Sequence, residues 1–224
     1  STFFDAASAY NKSAYNYERN LRYEAMSGVF TGEKKLYVHA NFVKEITEAI
    51  YFCKEKGIPE LVIVGGYDAW MVTELLKDND VAVILRRVHQ LPVLPHEDID
   101  LPYKLPKILR DAGILFCLEN SGSMETMGIR NLPFYAGTAR TYGLTDEEAV
   151  AAITLNAASI LGIDDVLGSI EVGKAATFVL SAGDALDMLG NDIHRAWING
   201  RDVDLDNPQK QLYRKFKKKY ADQE

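Results

Sequence analysis

Four short runs of nearly uninterrupted apolar, branched residues constrain this chain more than any other feature: 36–40 (LYVHA), 61–64 (LVIV), 81–85 (VAVIL) and 114–118 (ILFCL). A strand that is apolar on both faces must be covered on both, and the covering elements lie between the runs. Residues 43–56 carry Ile46, Ile50 and Cys53 at helical spacing with Gly57 as a stop, and 69–77 and 104–112 follow the same logic. Strands alternating with helices specify parallel pairing and an α/β architecture. The lack of clean apolar–polar alternation disfavours an open antiparallel sheet.

A further helix is expected over 146–161, where Ala149, Val150, Ile153, Ala157, Ile160 and Leu161 recur at helical spacing. Thr145 stands at its N-cap and Glu148 at the capping-box position. Gly162 suits a left-handed C-cap, and Gly173 with Lys174 suits a tight turn before a strand.

At 224 residues, 47% hydrophobic and 25% charged, the chain has ordinary globular composition and length enough for a large core. No apolar run approaches the ~20 residues of a membrane span, and the N-terminal STFFDAASAYNKSAYNYERN is too polar for a signal peptide. The expectation is a soluble protein, cytoplasmic or exported after removal of an upstream signal. A net charge of −7 argues against a nucleic-acid partner. The basic run 214–219 (RKFKKK) reads as a solvated helix face. Cys53 and Cys117 lack metal-ligand spacing and read as buried small hydrophobes, with a disulfide between them left open.

The ordered run from Thr154 to Val179 resembles the tail of an amidohydrolase-superfamily barrel, in the imidazolonepropionase-like group. Thr154, Asn156, Ala158, Leu161 and Gly162 occupy the TxNxAxxLG places of the last barrel helix. Gly168, Gly173, Lys174, Ala176 and Val179 occupy those of the turn and strand that enter a small β-domain. The resemblance implies an α/β fold, the C-terminal half of a (β/α)8 TIM-type barrel followed by part of that β-domain, with the apolar runs as strands five to eight. Residues 1–162 would form the half barrel, 163–205 the accessory β segment and 206–224 a charged helix or tail. The N-terminal 35 residues read as an amphipathic helix leading into the first run. Such a chain is expected to be a fragment, an excised domain or a naturally split subunit. Its open strand edges would pair with a missing N-terminal half or a second copy.

The activity implied by the resemblance is metal-dependent hydrolysis of amide or cyclic amide C–N bonds in a small-molecule ligand. The implied metal ligands are an HxH pair on strand one, a histidine on each of strands five and six, and an aspartate on strand eight that shuttles the proton. His39 matches the strand-five ligand. Gly65 stands at the strand-six position, and Ser121 at the strand-eight position, or Asn120 if the register slips by one. One imidazole does not hold zinc, which takes three or four protein ligands. Zinc or another divalent metal is therefore expected only if the missing half supplies ligands.

Glu119 and Asp68 are the candidate catalytic carboxylates. Glu119 shares a strand face with Ser121 while Asn120 faces the other way. Asp68 has a competing reading as N-cap of the helix beginning near Ala69. Ser121 and Ser123 have no identifiable base. Pocket candidates at the strand ends are Gly65, Gly66, His89, Asn120, Ser121 and Arg130; Tyr67, Arg86 and Arg87 end strands there too. His89 and His96 belong to a proline-containing loop that either covers the barrel mouth or packs on the surface. The acidic cluster His96, Glu97, Asp98 and Asp100 has no calcium-loop spacing.

Two function classes compete: a hydrolase completed by the missing half, and a catalytically inactive binding or structural protein that has lost its metal site. An independent doubly wound α/β domain is a third possibility for the fold.

Overall fold

The four apolar runs form four strands, β1 Leu36–Ala40, β2 Leu61–Gly65, β3 Ala82–Leu85 and β4 Phe116–Leu118. The structure is a computed structural model and describes residues 2–13, 18–122 and 125–221. The strands pair in parallel in the order β1-β2-β3-β4. A doubly wound sheet reverses its strand order at a switch point, whereas a (β/α)8 barrel adds each strand beside the last. The sequential order therefore excludes the doubly wound alternative for these strands and gives half of a barrel wall.

Among the described residues before β1 stand three helices, α1 Thr2–Lys12, α2 Leu21–Glu24 and α3 Ser27–Thr31, in place of the amphipathic helix expected over the first 35 residues. Asn20 breaks that expectation by capping α2, its side chain accepting from the backbone of Arg22 and Tyr23. Helix α4, Val43–Lys56, has the expected bounds and ends on Gly57 in the left-handed region.

The helix expected over 69–77 is a 3₁₀ turn, Ala69–Met71, followed by α5, Thr73–Lys77. Helix α6, Leu101–Asp111, begins three residues before the expected 104. After β4 come α7 Glu125–Gly128, a 3₁₀ turn at Ile129–Asn131 and α8 Leu132–Thr141.

The helix expected over 146–161 is two helices, α9 Asp146–Ala151 and α10 Leu155–Leu161. Thr145 and Glu148 form the anticipated capping box on α9. The break has a tertiary cause: the Ala152 carbonyl accepts from Leu118 N of β4, and Asn156 Nδ2 donates to Phe116 O. Those bonds turn α10 under the sheet.

Alternate strand residues then meet different partners. Ile63, Val83, Leu85, Phe116 and Leu118 join Ile46, Ile50, Leu76, Leu109 and Ala136 of the helices in the main core. On the opposite face Val62 and Cys117 pack with Ile160 of α10. Lys35 Nζ and Tyr37 Oη donate to carbonyls at the C-terminal end of α10, which fixes that helix and favours a cation there. Helix α10 thus covers one end of the inner face and leaves the end carrying His39 open. Cys53 and Cys117 are free and buried, in separate clusters on the two faces.

A second, antiparallel sheet contains β5 Phe178–Ser181, β6 Ile193–Ile198 and β7 Arg201–Asp202 in that order. The chain ends in α11, Pro208–Ala221, which includes the basic run and has no buried residue. The link between β5 and β6 reaches back to the main core: Leu186 is buried there, and its carbonyl lies 2.1 Å from where a side chain on Gly137 of α8 would begin. Arg140 of α8 pairs with Asp184 at 2.5 Å beside it. Among the described residues no helix is long and apolar enough to cross a membrane.

Candidate functional site

The site is built where β1, β2, β3 and β4 end. Register sets His39 beside Val64, which in turn pairs with Ile84, and Ile84 with Cys117. These residues share the inner face of the sheet, and His39 is exposed on it. The lateral neighbour of His39 on β2 is thus an aliphatic side chain.

Gly65, the next residue along, has φ +113°, a conformation that side-chain-bearing residues rarely adopt. A Cβ there would lie 2.5 Å from Asn41 Oδ1 and 3.1 Å from Ala40 O. The Asn41 side chain therefore occupies the space that a side chain at 65 would need. Gly66 is held by its N–H to Ala40 O and packs against Val83, 2.6 Å from where its own Cβ would stand.

Asp68 does not cap the turn that follows it, contrary to the expected N-cap role. Its Oδ2 accepts instead from Val43 N at 3.1 Å, capping α4 from a neighbouring strand end. The reason is positional. Asp68 N donates to Asn41 O, which draws the carboxylate to the start of α4, where free N–H groups await acceptors. Glu45 Oε2 accepts from Asn41 N and Phe42 N at the same helix start, and those bonds hold its carboxyl below the usual range.

At the end of β4, Ser121 Oγ donates to Glu119 Oε1 at 2.6 Å, while Asn120 Oδ1 accepts from Tyr135 Oη at 3.0 Å. Burial raises the Cys117 thiol to about 12, with the Glu119 charge adding to the effect. Glu119 is therefore close to the inner-face cysteine and bonded to Ser121. Ser123 lies outside the described residues.

His89 packs its ring on Tyr135, with centroids 4.6 Å apart, and its Nε2 is 2.6 Å from Thr138 Oγ1. Desolvation lowers its pKa. The loop after β3 is pinned further along by Tyr67. That phenol donates to Glu97 Oε2 at 2.6 Å and accepts from Val93 N at 2.9 Å. Burial and the Glu97 bond raise the phenol to about 12. Desolvation opposes ionisation of Glu97, but the bonds from Tyr67 and Leu94 N outweigh it and hold the carboxyl below the usual range. Asp98 is paired with Lys104. The acidic cluster of this loop is thus spent on internal partners. Arg130 is exposed in the 3₁₀ turn after α7.

Between the ends of β1, β2 and β3 lies a cleft of about 120 Å³. Asn41, Gly65, Tyr67, Arg86 and Gln90 line it over an apolar floor that includes Leu85 and Leu105. Gly65 is the one pocket candidate from the sequence that lines this cleft; Gly66, His89, Asn120, Ser121 and Arg130 do not line it. Asn41 and Gln90 escaped the sequence reading. The available signal for Asn41 was its place two residues beyond His39, at the end of a strand.

A metal asks for several ligands converging on one point. Among the described residues no three of His, Cys, Asp or Glu come together in that way. The residues present do not by themselves fit a metal centre.

Sequentially added parallel strands, an open end on the inner face and an appended antiparallel sheet define a protein of the (β/α)8-barrel class. Residues 103–206 match the Amidohydrolase family. An amidohydrolase from Thermotoga maritima superposes with a TM-score of 0.75 at 26% identity, covering 90% of this chain and 52% of that one. An imidazolonepropionase from Shewanella frigidimarina is 37% identical over 87 residues, 39% of this chain and 19% of that protein. The fold is shared with an adenosine deaminase from Xanthomonas campestris with bound zinc, at TM-score 0.52, 17% identity and coverage of 90% of this chain and 53% of that one. The chain is thus similar to amidohydrolases in the sequence of residues 103–206 and in its fold, and it spans about half the length of these solved structures.

Proposed function

We propose that this chain is the C-terminal part of a hydrolase acting on non-peptide C–N bonds of small molecules, completed by a polypeptide segment or partner that supplies the other half of the barrel. In this reading residues 1–162 form the half barrel, 163–205 the accessory β segment and 206–224 the charged C-terminal part. The observation that carries it is His39: an unburied imidazole at the end of β1, on the inner face that α10 leaves open. The hydrogen-bonded pair of Glu119 and Ser121, at the end of β4, supplies a carboxylate at the same end of the sheet. Glu119 would take or return a proton there, with Ser121 holding one of its oxygens. The zinc bound by the Xanthomonas deaminase supports looking for a divalent metal, whose remaining ligands would come from outside this chain.

A second reading rests on its own observation. Val64 lies beside His39, and Gly65 leaves no room for another imidazole next to it. That arrangement favours a barrel that binds a small molecule without metal chemistry.

Elemental analysis of the full-length polypeptide, purified without chelator, separates the two. About one or more equivalents of zinc, lost in His39→Ala, is the result expected of the hydrolase. Metal-free protein in both forms would refute it and leave the binding protein. Light scattering tests the completion itself: a sharp monomer of this chain with a cooperative melt would contradict the need for a covering partner.

A further inference from the structure

The cleft at the ends of β1, β2 and β3 lies beside His39 without including it. Its floor is formed by Leu85 and Leu105, which belong to the main core on the helix side of the sheet. It is therefore distinct from the open inner face on which His39 stands.

Three side chains of its polar lining, Asn41, Arg86 and Gln90, are unspent, whereas Tyr67 is bonded to Glu97 and Val93. Arg86 Nε is buried without a hydrogen-bond partner, and the Arg86 guanidinium makes no ion pair among the described residues. The side-chain amides of Asn41 and Gln90 likewise have no protein partner among the described residues. A buried donor left unmade costs about 1–3 kcal/mol, more when it is charged, so the orphaned Arg86 Nε, with the half-buried amides of Asn41 and Gln90 lining the same cavity, points to an acceptor that is not part of the chain. The cavity of about 120 Å³ has room for a group of several heavy atoms.

We propose that this cleft is a binding site for a short-chain monocarboxylate, or for the carboxylate end of a larger small molecule. The carboxylate would be held by Arg86, Asn41 and Gln90, and its carbon chain would lie on Leu85, Val93 and Leu105. Each donor has a stated task. The guanidinium supplies the charge and a planar fork matched to two oxygens. The Asn41 and Gln90 amides supply neutral N–H groups, and the apolar floor accepts methylenes in place of water.

The charge balance selects among anions. Among the described residues Arg86 is the one cation that lines the cleft, and Glu97 is bonded to Tyr67 in its wall. A single negative charge is matched there, whereas a phosphate dianion would bring a second charge toward Glu97 with no cation to meet it. A side chain at Gly65 would run into Asn41 Oδ1, so the glycine leaves that amide its place in the lining. The proposal rests on this cleft alone and does not depend on hydrolysis or on metal.

The test is titration of the full chain with sodium propionate, followed by calorimetry and by amide chemical shifts. Propionamide serves as the uncharged isostere and inorganic phosphate as the rival anion. Saturable propionate binding is expected, absent for propionamide, and weakened about tenfold or more in Arg86→Met. Arg86→Lys, which keeps the charge and loses the fork, should fall between wild type and Arg86→Met. Equal responses to propionate and propionamide, or phosphate binding more tightly than propionate, would overturn the proposal. The comparison of the three probes on the unaltered protein decides even if Arg86→Met fails to fold. Gln90→Ala in the loop gives an independent variant, expected to bind a few-fold more weakly; unchanged binding in both Gln90→Ala and Arg86→Lys would also count against the assignment.

Discussion

The parallel sheet and the antiparallel sheet of this chain are built from strands of similar length, yet they treat water in opposite ways. Strands β2 and β4 are buried along nearly their whole length, because helices cover one face and α10 covers part of the other. Strand β5 carries Phe178, Val179 and Leu180 in the open, and no residue of β5, β6 or β7 is buried. Hydrogen bonds alone therefore do not separate a stable sheet from a dependent one; the covering layer does. The same half of the molecule presents a broad apolar groove between α9, α10 and the antiparallel sheet, lined by Leu155, Leu161, Phe178, Val179, Trp197 and Ile198. The parallel sheet folds onto its own helices, while the antiparallel sheet is tied to the rest through Leu186 and the Arg140–Asp184 pair.

The sharpest way to break this contrast is a matched pair of truncations. Leu109→Ala removes a side chain with 0% exposure and should cost about 2–5 kcal/mol, read from urea unfolding. Val179→Ala, 56% exposed, should stay within about 0.5 kcal/mol. Similar costs for the two would mean that the sheets are equally supported. Leu186→Ala tests the tie between them. A loss of about 2 kcal/mol is expected, with amide exchange quickening in β5 and β6 before it quickens in β2. Uniform quickening would show one cooperative unit.

A smaller effect concerns pH, and it belongs to the parallel half. Burial lowers the pKa of His89, so the folded chain takes up that proton less readily than the unfolded one. Stability should be insensitive to this ring well above the unfolded histidine value of about 6.5, and should fall as pH drops through it toward the lower folded value. His89→Asn should flatten the decline in unfolding midpoint between pH 8 and pH 5. An unchanged slope would assign the pH dependence to other groups.

Much of the parallel half was legible in the sequence because both faces of its strands are apolar: 36–40 and 43–56 have the bounds of β1 and α4. Helix α8 was not, since Ala136, Gly137 and Ala139 make a buried face of small residues that carries little hydrophobic contrast. The break between α9 and α10 was hidden for another reason: it is made by bonds to β4, more than thirty residues away in sequence. At the site, strand-end reasoning placed His39 and reached Arg86. Pattern could not show that the Asn41 side chain folds back over Gly65, or that Asp68 serves a helix other than its own. Those are consequences of strand register, which no local window contains.

The contact between Asn41 and Gly65 also bears on how this surface can evolve. A histidine, or any other side chain, cannot be introduced at 65 in one tolerated step, because the backbone angle and the asparagine both oppose it. The order of changes is then constrained: the backbone at 65, with its positive φ and the Ala40 carbonyl 3.1 Å from a Cβ, must relax and the Asn41 side chain must swing aside before position 65 is open to selection. A lineage with this pair is held away from a second imidazole at that strand end by contingency, whatever advantage the imidazole would bring.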